Sequence, residues 1–114
     1  MTLDALIDRD GGSCVWCSRT PWRSDLSAEH LLPRSKRGRR VPENLSVACR
    51  ACNIRRKSRP VAAYVRAQMQ AGQHPRLDLI RRGLERLSCS EASGHAEYAL
   101  RQLDLLDRES FGDS

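Results

Sequence analysis

The chain has 114 residues, 39% of them hydrophobic and 4% aromatic, which suits one modest core and excludes a large enzyme with a deep interior. The opening "MTLDALIDRDGG" puts acids where a secretory leader would be basic. No stretch approaches the roughly 20 apolar residues of a membrane span, so the expectation is a soluble, cytoplasmic chain with no membrane partner.

From Leu3 to about Arg59 the sequence is punctuated by Gly, Pro, Ser and Cys. The first cysteine pair is Cys14-Val-Trp-Cys17, and about thirty residues on comes Cys49-Arg-Ala-Cys52. Each such turn presents two thiolates toward one point, so the two pairs together predict a closed four-cysteine zinc site. Disulfides are the competing reading, but cysteines so close in sequence bridge poorly and the chain lacks secretory features. Four thiolates leave no open position for a catalytic water, so this Zn²⁺ would be structural and would supply on the order of 10 kcal/mol of folding energy. Trp16 and Trp22 are expected to cover it, and Cys89 to be an ordinary free thiol.

Between the pairs, "LSAEHLL" reads as a short strand that stops at Pro33, and "NLSVA" reads as a second. "RSKRGRRVPE" between them is a basic loop. "RACNIRRKS" can form a helix ending near Arg59, because Pro60 disfavours helical geometry before it. On that helix Asn53, Arg56 and Lys57 stand at i, i+3 and i+4 and should share a face. From Arg34 to Arg59 there are ten Lys or Arg and one acid, Glu43, so the segment carries +9 of a net +6 and the remainder −3. Such focused charge suits a polyphosphate partner, with Arg34, Lys36, Arg37, Arg39 and Arg40 of the loop and Arg56 and Lys57 of the helix as the phosphate contacts.

From Pro60 onward the sequence is helical. Val61, Val65 and Met69 make one stripe, with Gly72 as its stop; Leu77, Ile80, Leu84 and Leu87 make a second; Ala92, Ala96, Ala99, Leu103 and Leu106 make a third. These faces must be buried on the core or as a homodimer seam. His74 and His95 read as plain surface or core histidines, and the tail "ESFGDS" as frayed.

Taken together, "RDGGSCVWC", "AEHLLPRS", "ENLSVACRACN" and "RRKS" resemble the HNH endonuclease family over Asp8 to Arg59, about half the chain. The resemblance implies an α+β fold: a small ββα-metal core with zinc knuckles over residues 1–59, followed by a helical extension over 60–114. It makes His30 the general base, Asn44 the loop-bracing asparagine of the catalytic trio, and Asn53 a ligand of a catalytic Mg²⁺ or similar divalent cation. Glu29 stands where the family commonly has Asp. Adjacent strand residues point to opposite faces, so Glu29 joins His30 at one metal only where the strand ends or twists. The implied reaction is hydrolysis of DNA phosphodiester bonds to 5′-phosphate products. The alternatives are a non-catalytic zinc-ribbon module that binds nucleic acid and an adaptor working through its helical tail. Binding alone needs only the basic loop, so retention of His30, Asn44 and Asn53 favours cleavage.

Overall fold

The computed structural model describes residues 1–108, and the "ESFGDS" tail lies outside them. Along the chain run α1 (Leu3–Asp10), β1 (Leu26–His30), β2 (Leu45–Cys49), α2 (Arg50–Arg56), α3 (Val61–Gln70), α4 (Leu77–Leu87) and α5 (His95–Arg108), with single 3₁₀ turns at Arg23–Asp25, Arg34–Lys36 and Pro42–Asn44. The fold class is α+β: one two-stranded antiparallel sheet, with Leu26 opposite Cys49 and His30 opposite Leu45, among five α-helices.

Both strands alternate as the sequence requires, and the sheet separates two apolar clusters. α1 covers one face, where Leu6 joins Leu26, Leu45 and Val47. The sequence pattern does not anticipate this helix among the punctuation of the first half. It is fixed by Thr2, whose hydroxyl accepts from the Ala5 amide, and by Arg9, whose guanidinium donates to the carbonyls of Pro42 and Leu45. α2 lies on the opposite face, against Ser27.

The second cluster is the main core, and it runs across residue 60 without a break. Cys14, Trp16, Leu31 and Cys52 share it with Val61, Val65, Ile80, Leu84, Leu87, Ala99 and Leu106. The apolar stripes of the helical extension are thus spent inside the chain, on the ββα unit. The third stripe differs in register from the sequence expectation. Ala92 lies in the turn before α5, and the buried positions of the helix are His95, Ala99, Gln102 and Leu106. α2 also ends early, at Arg56, because Lys57 takes a positive φ of 56°.

The basic loop from Leu31 to Asn44 folds back on its own start. The Gly38 amide donates to the Pro33 carbonyl at 2.9 Å, and a Cβ on residue 38 would collide with the backbone carbonyl of Leu32. Glycine is required here by a close approach of backbone to backbone. Gly38→Ala should therefore displace the loop and lower unfolding free energy by about 1–3 kcal/mol, the usual cost of overpacking, as read by urea denaturation.

Candidate functional site

The four cysteines of the two knuckles converge. Their sulfur atoms all lie within 4.8 Å of one another, and Cys17 Sγ stands 4.0 Å from Cys49 Sγ. These are distances for ligands sharing one ion, and none of the four is in a disulfide. The surrounding donors suit thiolates: the Trp16 amide reaches Cys14 Sγ at 3.3 Å, the Cys52 amide reaches Cys49 Sγ at 3.4 Å, and Arg55 and Gln68 reach toward Cys52 Sγ. Burial, reinforced by the neighbouring cysteines, pushes the Cys14 thiol well above its ordinary range and the Cys52 thiol up to about 12. A bound cation reverses that preference, since a coordinating thiol is deprotonated outright. The donor set fits a metal such as zinc. Cys49 also caps the start of α2, so the cluster fixes where that helix begins. Trp16 is fully buried beside it, whereas Trp22 is 84% exposed and covers nothing. Cys89 is an exposed free thiol.

Next to the cluster, the end of β1 and the outer face of α2 form an open cleft of about 250 Å³ lined by Glu29, His30, Pro33, Arg34, Ser35, Asn53, Lys57 and Ser58. Asn53 is held by its amide nitrogen, which donates to Ser27 Oγ at 2.9 Å and toward the Ala28 carbonyl at 3.5 Å. Those bonds leave its carbonyl oxygen uncommitted. His30 is half-buried, and its Nε2 is buried without a hydrogen-bond partner. Burial holds its pKa below the ordinary value of 6.5, and the nearby positive charges of Arg34, Arg40 and Arg56 push it the same way. The imidazole is therefore neutral near pH 7.

Asn44 is fully buried and does not line the cleft. Its Oδ1 accepts from the Leu32 amide at 2.8 Å, and its Nδ2 donates to the carbonyls of Leu32 and Arg39 at 3.1 and 2.9 Å. It is a brace across both ends of the basic loop. Glu29, also buried, lines the cleft but is engaged from within: Oε2 accepts from Trp16 Nε1 at 2.9 Å, and Oε1 lies 3.5 Å from Arg56 Nη1. Burial raises its carboxyl above the ordinary range, opposed by Arg56 and the indole N–H.

Arg56 corrects the sequence expectation. Instead of facing phosphate beside Asn53, it is fully buried. Its Nη1 donates to the His30 carbonyl at 2.5 Å, Nη2 to the Leu31 carbonyl at 2.6 Å and Nε to the Arg59 carbonyl at 2.9 Å. Its guanidinium lies 5.1 Å from the centre of the Trp16 ring. At the helix end, one residue of a basic run has turned inward to hold the strand. The other charges read as phosphate contacts, Arg34, Lys36, Arg37, Arg39, Arg40 and Lys57, are exposed.

Several residues that shape the site escape the sequence reading. Gln68 of α3 donates to the Trp16 carbonyl at 3.0 Å. Tyr98 of α5 donates from its hydroxyl to the Leu31 carbonyl at 2.9 Å, and His95 accepts from the Arg39 amide at 3.0 Å. The available signal is polar residues inside otherwise apolar helical stripes, Gln68 after Val61 and Val65, and His95 and Gln102 one heptad apart.

Residues 14–68 match the family model described as HNH endonuclease. The match runs past Pro60 into α3 and includes Gln68. Comparison with curated proteins gives no match.

Two outcomes test this geometry. Cys14→Ser or Cys52→Ser should abolish retention of one tightly held metal ion per chain, measured by elemental analysis, and unfold the N-terminal half in far-UV circular dichroism. Arg56→Ala would leave Glu29 without its cation and three backbone carbonyls without this donor; it should cost about 3–5 kcal/mol in chemical denaturation, as breaking a buried pair does.

Proposed function

Since residues 14–68 carry an HNH endonuclease domain, we propose that the protein is a metal-dependent endonuclease that hydrolyses DNA phosphodiester bonds, with His30 as general base. The observation that carries this reading is the His30 imidazole: neutral, with a buried, unpartnered Nε2, in a cleft shared with the Asn53 amide and rimmed by Arg34 and Lys57. Hydrolysis requires a water to lose its proton in line with the scissile bond. A neutral imidazole with one free nitrogen can accept that proton. Arg34 and Lys57 supply the positive rim that draws a phosphate to the cleft, and the exposed charges of the loop extend that field along a duplex.

Asn53 supplies an oxygen ligand for a divalent cation at the cleft, and Glu29 a second if one of its oxygens shares its lone pairs between Trp16 or Arg56 and the ion. Two protein oxygens with water and phosphate making up the rest is a coordination set that suits Mg²⁺. Such an ion would neutralise the charge developing on the leaving 3′ oxygen. Zn²⁺ is the metal we assign to the four cysteines, since their four sulfur atoms lie within 4.8 Å of one another and a set of four thiolates suits that ion. Asn44 acts at one remove, by holding the loop that begins one residue after His30.

A plasmid-nicking assay with Mg²⁺ should show cleavage that EDTA abolishes. His30→Ala should bind DNA as the parent does and cut it roughly 10²–10⁴-fold more slowly, the usual worth of a positioned general base. Equal rates would remove His30 from the mechanism. The base works only when neutral, and its lowered pKa keeps it neutral to a pH below the ordinary 6.5, so kcat/KM should be held down to that lower pH and fall off beneath it. The acid limb should be missing from what activity His30→Ala retains.

A further inference from the structure

α5 belongs to the helical extension, beyond the segment that matches the nuclease family. Its inner side carries three polar side chains at i, i+3 and i+7: His95 and Gln102, which are buried, and Tyr98, which is half-buried. A helix that only filled a core would place apolar groups at these positions, as this one does at Ala99 and Leu106. Buried polar groups cost stability unless bonded, and here each is bonded to backbone of the nuclease unit.

The bonds of these three side chains fall on particular atoms. The Tyr98 hydroxyl donates to the Leu31 carbonyl at 2.9 Å, the residue after His30, and accepts from Arg56 Nη2 at 3.3 Å and the Val61 amide at 3.1 Å. His95 Nε2 accepts from the Arg39 amide at 3.0 Å, in the middle of the basic loop. Its Nδ1 therefore carries the proton and donates to the Ser93 carbonyl at 3.0 Å, which fixes the ring. Gln102 Oε1 accepts from the Ala62 amide at 2.9 Å and, with Tyr98, caps the start of α3, which has no side-chain cap of its own. Arg39 is then clamped on both sides, its amide by His95 and its carbonyl by Asn44.

We propose that α5 is a positioning element of the active site: Tyr98 sets the backbone that aims His30, and His95 sets the basic loop that meets the phosphate. This rests on the nuclease reading. A general base must sit within hydrogen-bond reach of its water, and a displacement of about 1 Å transmitted from outside the reacting groups can cost 10²-fold in rate. Neither residue touches substrate. Tyr98 holds the backbone one residue after His30 and His95 holds it at Arg39, within a loop from Leu31 to Asn44 that carries five exposed positive charges.

The test uses the full chain with Tyr98→Phe, His95→Leu and His95→Gln. Two quantities are read: single-turnover cleavage of supercoiled plasmid at saturating DNA and Mg²⁺, and hydrogen–deuterium exchange over residues 31–44. Tyr98→Phe removes one hydroxyl and should lower the single-turnover rate roughly 10–100-fold with little change in DNA affinity. His95→Leu should do the same and speed exchange around Arg39. His95→Gln retains a side-chain oxygen able to accept from the Arg39 amide and should recover most of both. If rates and exchange in Tyr98→Phe and His95→Leu equal those of the parent, the proposal falls. It falls too if all three variants, Gln included, lose activity only in step with melting temperature and metal content, since that is a general packing role. A parent chain that does not cut DNA sinks the nuclease reading alone; exchange over 31–44 then decides whether α5 positions the loop.

Discussion

The arrangement turns on one buried guanidinium. Arg56 stands at the last position of α2 with no solvent exposure, and through it the helix, the end of β1, the first knuckle and α5 are joined: it binds the His30 and Leu31 carbonyls, faces Glu29, stacks on Trp16 and meets Tyr98. Removing a charge from water is expensive, and a planar fork of five donors is the side chain best able to recover that cost by bonding several acceptors in fixed directions. The carbonyls at the end of β1 are just such acceptors, because that strand stops pairing at His30 and leaves the Leu31 carbonyl without a strand partner. The strand end that presents the candidate base is therefore held by a salt-bridged arginine as well as by its pairing with Leu45.

Trp16 links this knot to the cysteine cluster. It lies between Cys14 and Cys17, its amide approaches Cys14 Sγ, its indole N–H bonds Glu29, and its ring lies under Arg56 and edge-on to Tyr64. An ion held by the four sulfurs would fix Trp16, whose indole N–H bonds Glu29, and Glu29 balances Arg56. The metal site and the cleft are separate in chemistry but share this chain of contacts, so a small fold with little apolar core can still hold a cleft rigid. It also explains why Glu29, adjacent to His30, is found half-committed to structure: the carboxylate that could serve a metal also compensates the buried cation.

The local parts were legible in the sequence because each rests on short-range rules. Two Cys-x-x-Cys turns, strands bounded by Pro33 and Asn44, and a helix opened by Cys49 need only neighbours in sequence, and the elements lie where those neighbours put them. Arg56 was not legible, since helical spacing predicts which face a residue leaves from and not whether a long side chain then turns back into the fold; most of its binding partners lie 25 or more positions away, at His30, Leu31 and Tyr98. The same limit applies to α5. His95 read as one polar residue among many because its partner, the Arg39 amide, is 56 residues distant, and no local pattern announces a backbone group that needs an acceptor. α1 was lost for a different reason: eight residues with only one fully buried side chain carry too little periodicity to stand out.

On the nuclease reading, the charges around His30 do two things at once. In the free protein Arg34 and Arg40 add to burial in depressing the imidazole pKa, so the base is neutral but a weak proton acceptor. Arg34 also lines the cleft where a phosphate would lie, and a bound polyanion offsets its field. Binding would then oppose the part of the depression that Arg34 and Arg40 contribute, while burial, the larger cause, remains. Arg56, already balanced by Glu29 and sealed from solvent, keeps its effect in both states, so the part of the depression that substrate could relieve belongs to the exposed arginines and not to the buried one.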